Sequence, residues 1–590
     1  MKLAALAALS AALLAAYPAH AHDAANSAAA RAETDHLMGQ EMAADNVYRV
    51  YFPNAEIGAK AAISLHDNLL ETNWKDGYLV VQLDAGELKR LEPFKFRIEK
   101  DTAFIAKRNA MLERLRAAGN PNILGQSAAA LSAQGALGSE SIPSFPCYET
   151  VEETYTAAQG LTTTYPTLAA WSFIGESWQK TQGLGGYDIG VLKLTNKSTT
   201  GPNGEAKPKL FLNSAIHARE YATAPLALAF ARQLLTGYGT DADATWILDH
   251  HEVHLLLQTN PDGRKKAETG LSWRKNTNTN YCGATSNNRG ADLNRNFSNS
   301  WNSTNGQGSS GNQCSETYRG PSAASEPETQ TIEAYVRTLW PDRRGPAKTD
   351  AAPADTSGIH IDMHSYSELV LWPWGDTKAV APNGIALQTL GRKFAYFNGY
   401  LPEASIGLYA TDGTSDAISY GELGVAAFTI EMGTTFFQSC SSFESNIKPK
   451  NLPVLTYAAK VVRTPYLTPA GPDVTGIKLS GKAATTGVVA GTKVKVSAAV
   501  TDTRFSTRKG TEPVQNVDGA EIFVDTPPWM PGAVALPAKA IDGLFDSSTE
   551  NVTRQINTAG LSQGKHMVFV RGRDADGNLG AVSASFLVIR

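Results

Sequence analysis

The sequence predicts a multidomain chain: a small α+β domain, a central α/β domain whose sheet is covered by helices on both faces, and an all-β sandwich toward the C-terminal end. Three observations carry this. At 590 residues the chain exceeds what one hydrophobic core serves. Its middle alternates near-continuous apolar strands, such as "GIHIDMHS" and "VAAFTIEMG", with helix-like segments such as "APLALAFARQLL". Its C-terminal stretches "TKVKVSAAV", "GAEIFVD" and "SASFLVIR" alternate with period two and lack helical signals.

The elements follow in order. Lys2, a run of Ala and Leu, and the small-x-small triplet Ala19, His20, Ala21 read as a signal peptide over residues 1–21. The mature protein is expected to be exported, extracellular or periplasmic, with no further membrane span. A polar Ala-rich segment covers 22–44. Then "NVYRVYFP", the helix-like "AAISLHDNLLE", "YLVVQLD", "PFKFRIEK" and the helical "AFIAKRNAMLERLRAAG" form the small α+β unit. The stretch "NPNILGQSAAALSAQGALGSESIPSFP", poor in charge and rich in Ala, Ser and Gly, reads as an exposed linker open to proteolysis. The α/β pattern runs from about Cys147 to Tyr466 and ends at a second linker, "TPYLTPAGPD". Within the sandwich, "DADGN" is read as a hairpin turn rather than a calcium loop.

Composition excludes some functions. Hydrophobic residues make up 42% of the chain, as in globular proteins, and 53 Lys plus Arg against 57 Asp plus Glu leave a net charge of −4. A nucleic-acid binder would carry a basic excess. The cysteines, Cys147, Cys282, Cys314 and Cys440, suit two bridges in an oxidising compartment, with three connectivities open. None lies in a CxxC pair, so thiolate zinc sites and thioredoxin-like chemistry have no support.

The chemistry centres on "KLFLNSAIHARE", where an apolar strand runs directly into His217, Arg219 and Glu220, groups that are costly to bury unless paired. His217 and Glu220 are three apart and converge on one ion if the chain turns helical there. A catalytic zinc needs three such ligands and one open position. Ligand sites in α/β sheets gather at the carboxyl ends of strands. His364, ending the strand of "GIHIDMHS", is the third candidate; His360 lies deeper on the same face. The stretch "DHHEVHLLLQTNPDG", with His250, His251, Glu252 and His254, is read as a solvated strand entrance and not as a metal box. Tyr221 stands where an inverted HxxEH motif needs histidine.

The ordered motifs "HARE", "TNPDG", "SWRKN", "ADLNRNF", "CSETYRG", "DMHSYSELVLWPWG" and "AFTIEMG" resemble those of zinc carboxypeptidases of the pancreatic A/B type, over about residues 143–465. The resemblance implies a mixed sheet and a division of the chain. Residues 45–119 would be an inhibitory prodomain, 120–142 an activation linker and 143–465 the catalytic domain; the break in pattern beyond it leaves 466–473 as a linker and 474–590 as the sandwich. It implies one zinc ion held by His217, Glu220 and His364, with Glu431 as base and proton shuttle for a zinc-activated water. Arg274 matches the oxyanion-stabilising arginine. Asn294 and Arg295 match the pair gripping the substrate's terminal carboxylate, and a planar guanidinium suits that bidentate contact. Arg219 matches an outer carboxylate site, Tyr409 the mobile tyrosine, and Asp292 the carboxylate orienting His217. Asp416 matches the base of the pocket for the departing side chain, where an acid accompanies basic specificity; Ala417 and Ile418 replace an Asp-Trp pair frequent among relatives. The continuation "MGTTFFQSC" also departs from the usual pattern. The resemblance pairs Cys282 with Cys314, leaving Cys147 for Cys440.

The expected protein is thus a secreted monomeric proenzyme that needs an activating protease and removes C-terminal residues from peptides with a free carboxylate. Two alternatives are weighed: a zinc peptidase acting on peptidoglycan stem peptides, and a catalytically inactive binding protein, which the presence of His217, Glu220, His364 and Glu431 disfavours.

Overall fold

The computed structural model describes residues 24–117, apart from 55, 56, 59, 60, 63, 64, 66, 67 and 74, and residues 141–590. The expected signal peptide and nearly all of the expected activation linker lie outside the described residues.

The N-terminal unit is a four-stranded antiparallel sheet of β1 (Val47–Tyr51), β2 (Leu69–Asn73), β3 (Tyr78–Gln82) and β4 (Arg97–Lys100), in the order β2-β3-β1-β4. The helix read over "AAISLHDNLLE" extends too far: Leu69, Leu70 and Glu71 lie in β2, where pairing with β3 overrides a helical pattern carried by neighbours in sequence alone. The polar segment before β1 is a helix, Ala24–Ala43, packed on the helix Thr102–Ala117. Leu37 and Met38 are buried with Leu112 and Leu115 in the same apolar cluster as Leu271 and Trp273 of the central domain. Composition concealed this because only a few side chains of that helix are apolar and buried.

The central domain is built on eight strands: β5 (Ala169–Glu176), β6 (Asp188–Leu194), β7 (Lys209–Ser214), β8 (Glu252–Leu256), β9 (Ile359–His364), β10 (Leu369–Trp372), β11 (Leu401–Ala404) and β12 (Ala426–Glu431). Their order is β11-β10-β12-β9-β7-β8-β6-β5. The sheet is mixed: β12, β9, β7 and β8 run parallel, while β5, β6 and β10 pair antiparallel with their neighbours β6, β8 and β12. Both faces are covered, as the continuous apolar strands require. Leu210 and Leu212 of β7 enter the cluster formed with the helices Thr223–Gly237 and Lys448–Val461. Phe211 between them enters the opposite cluster, with Ile332 and Val336 of the helix Pro327–Leu339.

The C-terminal unit is two four-stranded sheets, β13-β14-β18-β17 and β16-β15-β19-β20. These strands span Asp473–Leu479, Lys493–Thr501, Val517–Val524, Leu536–Pro537, Lys539–Ala540, Thr549–Asn557, Gly564–Asp574 and Ser583–Ile589 in chain order. Arg392 of the helix Gly384–Asn398 locks this sandwich to the central domain, donating to the carbonyls of Ser506 (3.0 Å) and Gly510 (2.8 Å) and pairing with Glu512 at 3.0 Å. In "DADGN", Asp574 accepts from the backbone (2.7 Å) and side chain (2.8 Å) of Asn578, as in a self-capped turn.

The histidine-rich stretch is not the solvated strand entrance expected of it. His250 ends the helix Ala242–His250, and His251 is buried against Trp529 of the sandwich. Burial pushes His250 down to about 4. His254 is buried between Tyr335 (2.7 Å) and Glu252 (3.1 Å). Domain docking and a covering helix, which local sequence does not encode, remove these groups from water.

Two disulfides, Cys147–Cys440 and Cys282–Cys314, resolve the three open connectivities. The first closes a span of 293 residues, from the start of the central domain to the segment after β12. Cross-linking so long a loop removes much entropy from the unfolded chain, so the Cys147→Ser/Cys440→Ser variant should lose on the order of 3–5 kcal/mol of stability. Denaturant unfolding under oxidising conditions measures this, and a change below about 1 kcal/mol would show that the bridge does not constrain the unfolded state.

Candidate metal centre and substrate cleft

Sheet order builds the site. Because β12, β9 and β7 are adjacent and parallel, their carboxyl ends lie side by side, and the register sets Glu431 directly opposite His364. His217 and Glu220 follow β7 in a turn and not in the helix that would have aligned them; helix begins only at Thr223. The turn is made by Ala215, whose φ of 55° lies in the left-handed region. Its N–H donates to Thr223 Oγ1 (3.0 Å) and its carbonyl accepts from Asn260 N–H (3.2 Å), holding a backbone conformation that costs a non-glycine residue strain. Glu220 N–H then donates to the His217 carbonyl at 3.2 Å, closing the loop that aims both side chains at one point.

At that point three donors converge. His217 Nδ1 lies 2.7 Å from Glu220 Oε1, and His364 Nδ1 lies 3.1 Å from both His217 Nδ1 and Glu220 Oε2. One donor atom from each residue falls within 4.8 Å of the others, and all three residues are buried. Glu220 Oε2 also accepts from Ser365 N–H at 3.0 Å. The outer nitrogen of each ring meets a carboxylate: His217 Nε2 lies 3.0 Å from Asp292 Oδ1, and His364 Nε2 lies 2.9 Å from Asp362 Oδ2. Such partners leave each Nδ1 lone pair facing the centre. The set attracts positive charge. Burial opposes ionisation of Glu220, but His217 and His364 hold its carboxyl far below the usual range. Burial likewise opposes charge on His364, yet Asp362 and Glu220 raise it well above an ordinary histidine. Two imidazole nitrogens and a carboxylate in this arrangement fit zinc.

Around the centre stand the other expected residues. Arg274 is wholly buried and donates through Nε (3.1 Å) and Nη2 (2.9 Å) to Asp292 Oδ2. Burial pushes Asp292 up, but Arg274 and His217 hold it well below the usual carboxylate range. Asp292 also accepts from Asn294 N–H (3.0 Å) and opens the short turn Leu293–Arg295 that presents Asn294 and Arg295. Arg295 donates to Tyr409 Oη at 3.1 Å, so the tyrosine already reaches the Asn294–Arg295 turn. Arg219 donates to Glu316 (3.3 Å) and Ser272 Oγ (3.3 Å) and lies over the Phe436 ring, with its guanidinium carbon 4.2 Å from the centroid. Phe436 belongs to the unusual "MGTTFFQSC" segment. Asp416 is buried at the start of the Ala417–Glu422 turn, its carboxyl raised mainly by burial, with Thr414 opposing and Asp362 adding to the rise.

Glu431 is buried, and its Oε2 has no hydrogen-bond partner among the described residues. Burial pushes its carboxyl up to about 8, with His364 pulling it back and Glu220 adding to it.

Sequence reasoning missed Asp362, Asn213 and Ser365. Asp362 was within reach, since "IHIDMH" places it on the same strand face as His360 and His364.

A mixed, two-faced α/β sheet carrying a buried two-histidine, one-glutamate cluster at its parallel strand ends defines a metallohydrolase. A profile of the zinc carboxypeptidase family matches residues 154–452, and the chain belongs to that family; it is a zinc metallocarboxypeptidase. A zinc carboxypeptidase of Saccharothrix mutabilis subsp. capreolus is 31% identical, the match covering 50% of this chain and 64% of that relative. Mouse carboxypeptidase A1 is 30% identical, over 55% of this chain and 72% of its own length. At the level of fold, the crystal structure of carboxypeptidase A from Helicoverpa armigera superposes with a TM-score of 0.50 at 21% identity, covering 71% of this chain and 98% of that one. No helix among the described residues is long and apolar enough to cross a membrane.

Proposed function

We propose that the protein is an exported proenzyme whose activated form removes C-terminal residues from peptides, using one zinc ion per chain held by His217 Nδ1, Glu220 and His364 Nδ1. When bound there, zinc supplies Lewis acidity toward a peptide carbonyl and toward water. Asn294 and Arg295 hold the substrate's terminal carboxylate, which restricts hydrolysis to the last bond, and Tyr409 closes over it. Glu431 takes a proton from the attacking water and delivers it to the departing amine, while Arg274 faces the oxygen that becomes negative. The observation that carries this reading is the buried Glu431 carboxylate, in register with His364 and with its Oε2 free of a hydrogen-bond partner among the described residues. Glu431→Gln should retain zinc and fold while lowering kcat/KM by about 10³-fold or more. Metal analysis and kinetics on activated protein test this; full zinc occupancy in a His217→Ala/His364→Ala double variant would refute the ligand assignment.

Residues 45–119 are read as the inhibitory prodomain. In support, Glu71 of β2 forms a β-bridge with Thr435, just after β12, and Tyr366 and Phe436 share an apolar cluster with Val50, Leu69, Leu79 and Val81. Between the two units runs a cavity of about 980 Å³ whose walls include Glu41, Leu70 and Glu87 on one side and Arg219 and Tyr409 on the other. The helix Ala24–Ala43 adds a clasp through Glu33, which pairs with Lys266 (2.8 Å) and Arg289, and through Leu37, whose carbonyl accepts from Asn287 at 3.1 Å. Cleavage within 120–142 followed by release of the N-terminal unit should raise turnover of long peptides at least about tenfold by opening the site. Equal turnover by uncut chain would remove the inhibitory role.

Asp416 is read as the residue at the base of the pocket for the departing side chain, which favours basic or mixed specificity. In support, it is a buried carboxylate close to a second one, Asp362, and a cation entering there would meet a charge-assisted partner. For matched peptides ending in Arg or Phe, Asp416→Ser should cut the Arg:Phe ratio of kcat/KM by about tenfold or more. A preference for Phe that the variant leaves unchanged would assign Asp416 to loop structure alone.

A further inference from the structure

The carboxylate of Asp362, met above behind His364, has surroundings that make its role specific. It is fully buried on β9, two residues before His364 and on the same strand face. Across the parallel ladder its register partner is Asn213 of β7, whose Nδ2 donates to Asp362 Oδ1 at 2.7 Å. Asp362 Oδ2 meets His364 Nε2 at 2.9 Å and accepts from Ser415 Oγ in the loop before Asp416. The chain of contacts continues: Asn213 Oδ1 lies 2.6 Å from His360 Nε2, and His360 Nδ1 lies 2.7 Å from Ser419 Oγ. His360, deeper on β9, is thus a strut beneath the centre.

Two donors, Asn213 Nδ2 and Ser415 Oγ, converge on Asp362 beside the ring nitrogen His364 Nε2, an arrangement that suits an ionised carboxylate. Its position also selects the tautomer of His364. Asn294 Nδ2 approaches the same Nε2 at 3.1 Å and could donate to it if that nitrogen carried a lone pair. That tautomer would set the lone pair against a buried carboxylate oxygen at 2.9 Å, so the proton belongs on Nε2. The lone pair then falls on Nδ1, the atom facing His217 and Glu220, and the Asn294 amide is left for the substrate's carboxylate.

We propose that Asp362 is a positioning residue: it fixes the ring and tautomer of His364 so that Nδ1 faces the metal, and through Ser415 it ties the metal ligand to the loop of the specificity pocket. The proposal rests on His364 being a zinc ligand. It makes the two ligand histidines equivalent, each backed by a carboxylate, Asp292 for His217 and Asp362 for His364. An asparagine at 362 would turn an amide nitrogen toward one of the three donors, leaving the arrangement half satisfied.

The test measures zinc dissociation constants by chelator competition on the full chain, together with the visible spectrum of the cobalt-substituted protein. Asp362→Asn should weaken zinc binding by about 10- to 100-fold and shift the cobalt bands, while Ser415→Ala, which removes only a donor to Asp362, stays within about threefold of wild type. If Asp362→Asn does not fold, Asp362→Ser, whose small side chain leaves room for a water, is read in the same way. Zinc binding within about threefold of wild type and an unchanged cobalt spectrum in a folded Asp362 variant overturns the proposal, even if the thermal midpoint falls, because a packing role alone moves only the midpoint. His364→Ala separates the two levels: zinc retained there refutes the ligand assignment itself, whereas zinc lost there but retained in the Asp362 variant refutes only the positioning role.

Discussion

Everything at the site depends on three parallel strands ending at the same level. Backbone hydrogen bonding between β12, β9 and β7 sets Glu431 beside His364 and places the turn carrying His217 and Glu220 next to both. A slip of one residue in the β9–β12 pairing would turn either Glu431 or His364 to the opposite face of the sheet. The ladder therefore does for the chemistry what no local motif can: it converts residues far apart in sequence into neighbours at fixed height. The antiparallel strands at either side serve a different purpose, extending the sheet so that its two faces support helices.

Burial of so many ionisable groups is tolerable only because each has a partner of opposite character. Arg274 and Asp292 neutralise one another with no exposure to water, and His217 and His364 are each held by a carboxylate behind and a carboxylate in front. Glu431 stands apart, with one oxygen unbonded among the described residues and its carboxyl raised by burial. Neighbouring histidines drive Glu220 the other way, so the two carboxyls of the site differ in their affinity for a proton. The polar strut from His364 through Asp362 and Asn213 to His360 and Ser419 extends the network along the central strands β9 and β7, toward the loop that carries Asp416.

The flanking units attach by different physics. The N-terminal unit meets the central domain through the apolar cluster around Tyr366 and Phe436, through Leu37, Met38, Leu112 and Leu115 in the cluster that holds Leu271 and Trp273, and through ion pairs centred on Glu33, beside a cavity of about 980 Å³. The sandwich is fastened more rigidly: Arg392 is enclosed by the carbonyls of a single loop, and Trp529 covers His251 and Trp246.

The sequence by itself determined the chemical inventory and its order. Residue types such as the His217–Glu220 pair, the strand-ending His364 and Glu431, and the period-two strands of the sandwich are local patterns, and local patterns survive in one dimension. Tertiary structure decided what depends on partners distant along the chain. It chose one disulfide pairing from three, made β2 from Leu69–Asn73 where local periodicity suggested helix, folded the polar segment Ala24–Ala43 into a docked helix, and buried His251 and His254. It also brought Asp362 against both His364 and Ser415. Each of these outcomes is set by which strand, helix or domain lies alongside, and the free energy of those non-local contacts is written in no single segment of the chain.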